Sequence, residues 1–209
     1  LFLDVENFDS QDMLFYHKNM KLNLGCGFDH HKGYINVDKF SGCKPDEIVD
    51  LEKTPWPWAN DSAAEIRMSH VLEHLGQRPD DFLAIVAEVY RVLKPNGLWS
   101  IAVPHPRHDD FMADPTHVRP ITKTTMEMFD LQKNKEWVAA KFSSSPLAMV
   151  AKVDFVLEYI ETKPDQVWIN RLARNEVQEA ELNQLVWHNK NIGREIFMTL
   201  RARKPFNMD

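Results

Sequence analysis

The chain has 209 residues, with 25 Lys and Arg against 31 Asp and Glu, giving a net charge of −6. That length suits one domain able to bury roughly 70% of the surface its unfolded chain exposes. A content of 44% hydrophobic and 27% charged residues excludes a disordered or low-complexity chain.

Net acidity argues against a protein that grips nucleic acid by positive charge alone. The excess acid sits in residues 1–104, which hold 10 basic and 16 acidic side chains, whereas residues 105–209 hold 15 of each. Two cysteines, Cys26 and Cys43, are too few for a disulfide scaffold and fit a reducing, cytoplasmic setting. No apolar run approaches the roughly 18 residues of a membrane helix. The start, Leu1 to Glu6, lacks the basic region and long apolar core of a signal peptide.

In chain order, Met20–Leu24 reads as a strand running into Gly25-Cys26-Gly27. Tyr34–Asp38 and Glu47–Asp50 read as strands that each end on an acid, and Ala64–Ser69 as a fourth. Residues 80–93 place Phe82, Ile85, Val86, Val89, Val92 and Leu93 on one helical face, with Pro79 before the helix and Pro95-Asn96-Gly97 after it. Leu98–Val103 follows as a buried strand closed by Pro104. Residues 104–121 read as a loop rich in Pro, His and Asp, and Thr122–Asp130 as a helix. Val153–Glu161 alternates as a strand, with Val153, Phe155, Leu157 and Tyr159 on one face. Asp165–Trp187 has no Gly or Pro and reads as one long helix. Ile196–Leu200 is a last strand before the basic Arg201–Lys204 tail, read as a solvated strand end.

Strands alternating with helices indicate an α/β fold with a mainly parallel sheet, in which ligands bind beyond the carboxyl ends of the strands. No repeat or linker divides the chain, so 1–209 is expected as a single domain, with a cofactor half at 20–104 and a substrate-facing half at 105–209. Glycine is scarce, only 7 in all, yet Gly25, Gly27 and Gly33 fall together just past the first strand. Glycines there admit a ligand close to the backbone. They do not form the dinucleotide fingerprint G-x-G-x-x-G, because residue 30 is His, and Asp38 follows Gly25 by only 13 residues.

Five segments occur in order: Leu22-Asn23-Leu24-Gly25-Cys26-Gly27, Ile35-Asn36-Val37-Asp38, Asp50-Leu51, Ser69-His70-Val71-Leu72-Glu73-His74-Leu75, and Glu88 to Gly97. Over about residues 20–104 this resembles the class I S-adenosylmethionine-dependent methyltransferases, most nearly small predicted members with a shortened glycine-loop region. The resemblance implies a Rossmann-like three-layer α/β sandwich whose mostly parallel seven-stranded sheet has an antiparallel last strand. It implies S-adenosylmethionine as cofactor, with Gly25 and Gly27 beside its methionine moiety and Asp38 on its ribose hydroxyls. Asp50 and the Leu51 backbone fall at the adenine, and Ser69 and His70 at the sulfonium end. Cys26 and Lys39 join this cofactor set as neighbours of the glycines and of Asp38. Taken singly, Asp38 reads more readily as a solvated strand-end carboxylate or helix cap than as a ligand of the ribose. Only residues 28–33 separate Gly27 from the second strand, so a loop or single turn is expected there in place of a crossover helix.

Past the fifth strand, His105 is placed to take a proton from a substrate hydroxyl, as is His70 after the fourth. His108, Asp114 and His117 are candidates to orient that substrate, with loop-stabilising hydrogen bonds as the competing role. The loop matches no closed zinc spacing, and no metal is expected. Glu73 and His74 read equally well as a helix start. Trp56 and Trp58 read as packing over the sheet edge in preference to a stacking platform. The Asp165–Trp187 helix would cover the substrate mouth, form a homodimer contact or lie on the surface.

The expected activity is methyl transfer to a small-molecule or sugar hydroxyl, with nucleic acid a less favoured acceptor and no membrane partner. Two rivals stand beside it. One is an inactive nucleoside-binding scaffold of the same fold; the other is a metal-dependent hydrolase built on His105, His108, Asp109 and His117.

Overall fold

The structure, a computed structural model, describes residues 20–208, so the reading of Leu1 to Glu6 lies outside it. Seven strands, β1 (Met20–Leu24), β2 (Ile35–Asp38), β3 (Glu47–Ile48), β4 (Ala63–Ser69), β5 (Leu93–Pro104), β6 (Phe155–Pro164) and β7 (Gly193–Ala202), form one sheet. Their order is β3-β2-β1-β4-β5-β7-β6. The first five pair in parallel, and β7 inserts antiparallel between β5 and β6. This is the mixed α/β sheet expected from the sequence, and the reversal of strand order around β1 and β4 is where such sheets bind ligands.

Period-two alternation sends Leu22, Leu24, Ile66, Met68, Trp99, Ile101, Val103, Met198 and Leu200 to one face, where all are buried. Helix α1 (Pro79–Val92) lays Phe82, Ile85, Val86, Val89 and Val92 onto that face. Pro79 is its first residue, where the missing N–H costs nothing, and Asp80 and Asp81 in the first turn suit the helix dipole. The helix hands over directly to β5 at Leu93, one residue earlier than its apolar periodicity suggests. The Pro95-Asn96-Gly97 segment does not separate two elements. It forms an irregularity inside β5, with Asn96 at φ 63°.

The other face of β1, β2 and β4 is polar, and no helix connects β1 to β2. Buried Asn23 donates from Nδ2 to the Asp29 carbonyl at 2.8 Å and to Asn36 Oδ1 at 3.0 Å. Asn36 Oδ1 also accepts from the His31 N–H at 2.8 Å. Arg67 bridges Asn23 Oδ1 at 3.1 Å and Asp29 at 3.2 Å. Side-chain amides thus satisfy the backbone of the 28–31 segment, as helical hydrogen bonds would have done.

The second half holds more short helices than the sequence suggests: α2 (Asp109–Ala113), α3 (Lys123–Glu127), α4 (Leu131–Ala139) and α5 (Leu147–Ala151). The stretch read as one helix, Thr122–Asp130, is bounded by two N-caps: Thr122 accepts from the Thr125 N–H, and Asp130 from the Lys133 N–H at 3.1 Å. Between them Met126 and Phe129 are fully buried in the main core.

The single helix read over Asp165–Trp187 is two helices, α6 (Gln166–Ala173) and α7 (Glu179–His188). Asn175 takes the left-handed conformation at φ 55°, a turn that asparagine tolerates and that needs no glycine. The Glu176 N–H then donates to the Arg171 carbonyl at 2.9 Å, and Val177 turns inward to pack with Leu182 and Ile192. The Arg201–Lys204 segment is not a solvated end. Arg203 pairs with Asp130 and Asp154, each at 2.6 Å, and Lys204 with Asp61 at 2.6 Å.

In β6 an irregularity between Leu157 and Tyr159 shifts the register by one residue. Phe155 and Leu157 keep to the core face, whereas Tyr159 pairs with Thr199 and is half exposed.

Candidate functional site

A cavity of about 400 Å³ opens beyond the carboxyl ends of β1 to β4. Gly25 lines it just past β1, Asp38 and Lys39 at the end of β2, Val49 to Leu51 past β3, and His70 and Val71 past β4. His74 and Leu75, from a short 3-10 turn at Leu72–His74, and Thr116 complete the wall. Six of the nine residues expected at a cofactor therefore share one cavity: Gly25, Asp38, Lys39, Asp50, Leu51 and His70.

The three others serve it differently. The Gly27 N–H donates to Asp38 Oδ2 at 2.8 Å and so fixes the carboxylate. Cys26 is buried behind the loop, with its thiol donating to the Gly27 carbonyl. Ser69 lines a groove on the opposite, polar face of the sheet with Arg67, Ser100 and Thr199.

Gly25 has φ +67°, and a Cβ added there would stand 2.4 Å from Val71 Cγ2. The turn is thus closed onto a cavity-lining side chain, which only glycine permits. Asp38 accepts one backbone N–H on each carboxylate oxygen, from Gly27 on Oδ2 and from Phe40 on Oδ1, both at 2.8 Å. Each oxygen keeps a second lone pair for a ligand hydroxyl. Asp50 accepts from the Glu52 N–H at 3.2 Å and pairs with Lys53 at 3.2 Å. Burial opposes its ionisation, but Lys53, the Glu52 amide and Lys39 outweigh it and hold the carboxyl below its ordinary value.

Trp56 and Trp58 are buried edge to face, and no base-stacking surface is left open. Trp56 Nε1 donates to the Leu51 carbonyl at 3.0 Å, while its backbone N–H donates to buried Glu88 at 2.6 Å. Arg91 completes this bracket with bonds to Glu88 and to the Trp56 and Trp58 carbonyls. Glu88 and Arg91 therefore hold the wall that carries Leu51, a support role for two residues of the fifth motif segment.

His70 occupies a strained left-handed conformation at φ 55°. Its Nε2 meets Glu195 at 2.8 Å and its Nδ1 stands 3.6 Å from Glu73. Those two carboxylates, Glu73 foremost, raise its pKa above the ordinary histidine value against the effect of burial.

In the histidine-rich loop the contacts are of the loop-stabilising kind that competed with a substrate role. The His105 N–H donates to the Arg194 carbonyl at 2.7 Å, and its ring lies against Gly193, outside the cavity lining. Burial, then Arg107 and His108, push its pKa below the ordinary value. His108 is buried, caps α2 through the Asp110 N–H, and faces Asp165 at 3.5 Å. Asn191 and Asp109 bond reciprocally at 2.8 Å, and Arg194 pairs with Asp110 at 2.9 Å. These bonds dock the loop against the α6–α7 insertion.

Asp114 accepts from both the Thr116 N–H and hydroxyl, and Thr116 in turn meets His74 at 2.9 Å. His117 packs against His74, with ring centroids 4.6 Å apart. Thr116 carries no signal in the sequence beyond its place after Asp114-Pro115, a turn that presents its hydroxyl. His105, His108, Asp109 and His117 do not converge on a common point. Among the described residues, the sets of potential ligands that do are Cys26–Asp38–Cys43 and Glu73–His74–His117.

No protein-family model and no curated protein sequence matches the chain. Solved structures do. A SAM dependent methyltransferase from Archaeoglobus fulgidus superposes with a TM-score of 0.57 at 17% identity, covering 91% of this chain and 90% of that one. A SAM-dependent methyltransferase from Methanosarcina mazei gives 0.51 at 12% identity, covering 94% and 99%. The chain shares their fold, the class I methyltransferase architecture. No helix of the described residues is long and apolar enough to cross a membrane.

Proposed function

We propose that the chain is an S-adenosylmethionine-dependent methyltransferase acting on a hydroxyl of a small molecule, a sugar among the candidates. One observation carries this reading: a single cavity at the strand-order switch gathers Gly25, Asp38, Asp50 and His70 from the ends of four separate segments. The residues present fit the cofactor. The glycine turn brings backbone to the cavity wall, and Asp38 retains acceptor capacity for a ribose diol. Asp50, held ionised, is suited to accept from an adenine amine, with the Leu51 backbone beside it.

S-adenosylmethionine supplies a methyl group on a cationic sulfur, so the protein's task is chiefly to position an acceptor oxygen in line with it. His70 is the base this geometry favours, because it lines the cavity and two carboxylates stabilise it once it holds a proton. His105 packs against Gly193 and is not among the residues that line the cavity.

The test is calorimetric titration with S-adenosylmethionine. Asp38→Ala should weaken binding about 10- to 100-fold, the equivalent of losing charged hydrogen bonds worth about 1.5–3 kcal/mol. Asp38→Asn, which keeps one acceptor oxygen, should fall between the two. Unchanged affinity in both variants would remove Asp38 from the ribose, and no binding by the wild type would remove the function.

A further inference from the structure

We infer that Glu73, His74 and His117 form a binding site for one divalent transition-metal ion, such as Zn²⁺ or Mn²⁺, at the rim of the cavity. One ligating atom from each of the three lies within 4.8 Å of the other two. Glu73 is 1% exposed, and neither of its carboxylate oxygens has a hydrogen-bond partner among the described residues. A buried carboxylate in that condition is costly unless a cation meets it. The ion-pair partner of Glu73 among the described residues, His70, meets Glu195 through Nε2 at 2.8 Å, and its Nδ1 stops 3.6 Å short of Glu73.

The two imidazoles are arranged to present lone pairs, not protons. Asp114 accepts the Thr116 hydroxyl proton at 2.6 Å, so Thr116 Oγ1 must in turn accept from His74 Nδ1–H at 2.9 Å. His117 Nδ1 faces the Phe111 carbonyl at 2.7 Å, which can only accept. Both rings therefore carry their proton on Nδ1 and leave Nε2 free. That is the outer-shell pattern of metal-ligating histidines, in which the second nitrogen donates to a carbonyl or to a hydroxyl backed by a carboxylate. The Val118 N–H donates to the Glu73 carbonyl at 2.8 Å and fastens the loop that carries His117 over Glu73 and His74.

Two imidazoles and one carboxylate suit a first-row transition ion and leave coordination positions open. His74 lines the cavity, so those positions are within reach of a molecule bound there. On the methyl-transfer reading, on which this role rests, the ion selects acceptors that offer an oxygen ligand. It lowers the proton affinity of that oxygen, whose proton passes to the cavity-lining His70.

The test is titration of metal-free protein with Zn²⁺ and Mn²⁺, followed by calorimetry and, for Mn²⁺, by electron paramagnetic resonance. One ion should bind per chain and raise the melting temperature. Thr116→Val should weaken binding about 10- to 100-fold through the outer shell, and exposed-loop His117→Ala by more. Glu73→Gln should abolish the Mn²⁺ signal, with the circular dichroism spectrum unchanged. Cys26→Ser should retain the ion, and Co²⁺ bound to the wild type should show no thiolate charge-transfer band. Absence of binding, binding as tight as the wild type in both the His117 and Thr116 variants, or a thiolate band would overturn the site. Retained S-adenosylmethionine binding alongside lost metal binding sinks this inference alone, and the reverse pattern sinks the methyl-transfer reading alone.

Discussion

Cys26 shows how far a side chain's chemistry is set by its packing. Burial pushes its thiol up to about 12, with Cys43, Asp38 and Asp46 adding to the shift. Against an ordinary thiol near 8.5, Cys26 should remain essentially unalkylated by iodoacetamide at mildly alkaline pH in the folded protein. It should react promptly in denaturant, as read by peptide mass spectrometry; rapid modification of the native protein would contradict its packing. Gly25→Ala combines strain at φ +67° with a collision at Val71, so it should destabilise by about 1–3 kcal/mol and weaken cofactor binding. Asp38, Asp50 and His70 are legible in the sequence because each lies at a strand end or within two residues of one, and strand ends are where α/β sheets bind ligands. The Glu73–His74–His117 grouping is not. His117 lies more than forty residues along the chain from His74, and only the Val118–Glu73 backbone bond and the Asp114–Thr116 turn bring it back.

At the scale of elements, apolar periodicity locates β1, β2, β4, β7 and α1, all of which have one face in the main core. It fails where a boundary depends on a cap or on an asparagine in a left-handed turn. The break between α6 and α7 and the division at Thr122 and Asp130 are of that kind. The loop between β1 and β2 depends on side-chain amides, so it can be tested without touching the core. Asn23→Ala removes the donor to Asp29 and Asn36 and should cost about 1–3 kcal/mol. Amide hydrogen exchange should accelerate over residues 28–33 and leave α1 unaffected. Uniform acceleration across the sheet would mean that the asparagines support the whole fold and not this loop.

For the whole molecule, the acidic balance becomes a statement about pH. Burial opposes ionisation of Glu88, but Arg91 and the Trp56 N–H hold its carboxyl below its ordinary 4.5. A group depressed in the folded state contributes stability that is full above its unfolded value and lost as the pH falls through the folded one. His105, kept below 6.5 by burial, has the same sign and begins its loss at higher pH. His70, raised above 6.5, has the opposite sign and offsets His105 in that window, so melting temperature should decline chiefly below about pH 4.5. Glu88→Gln should lower it at neutral pH while flattening the steep limb. A variant that melts in parallel with the wild type at every pH would show that Glu88 titrates equally in both states.

The position of β7 bears on how the chain is made. It is the last of the described strands in sequence, yet it lies between β5 and β6 and supplies pairing to both. Until it emerges from the ribosome, β5 keeps one open edge and β6 has no neighbour among the described strands. During synthesis the parallel half, with the cavity beyond its strand ends, can assemble first, while the hairpin-like β6–β7 unit and its helical insertion close the sheet afterwards. A nascent chain halted before residue 193 is thus an exposed, two-edged intermediate, the species most in need of a chaperone.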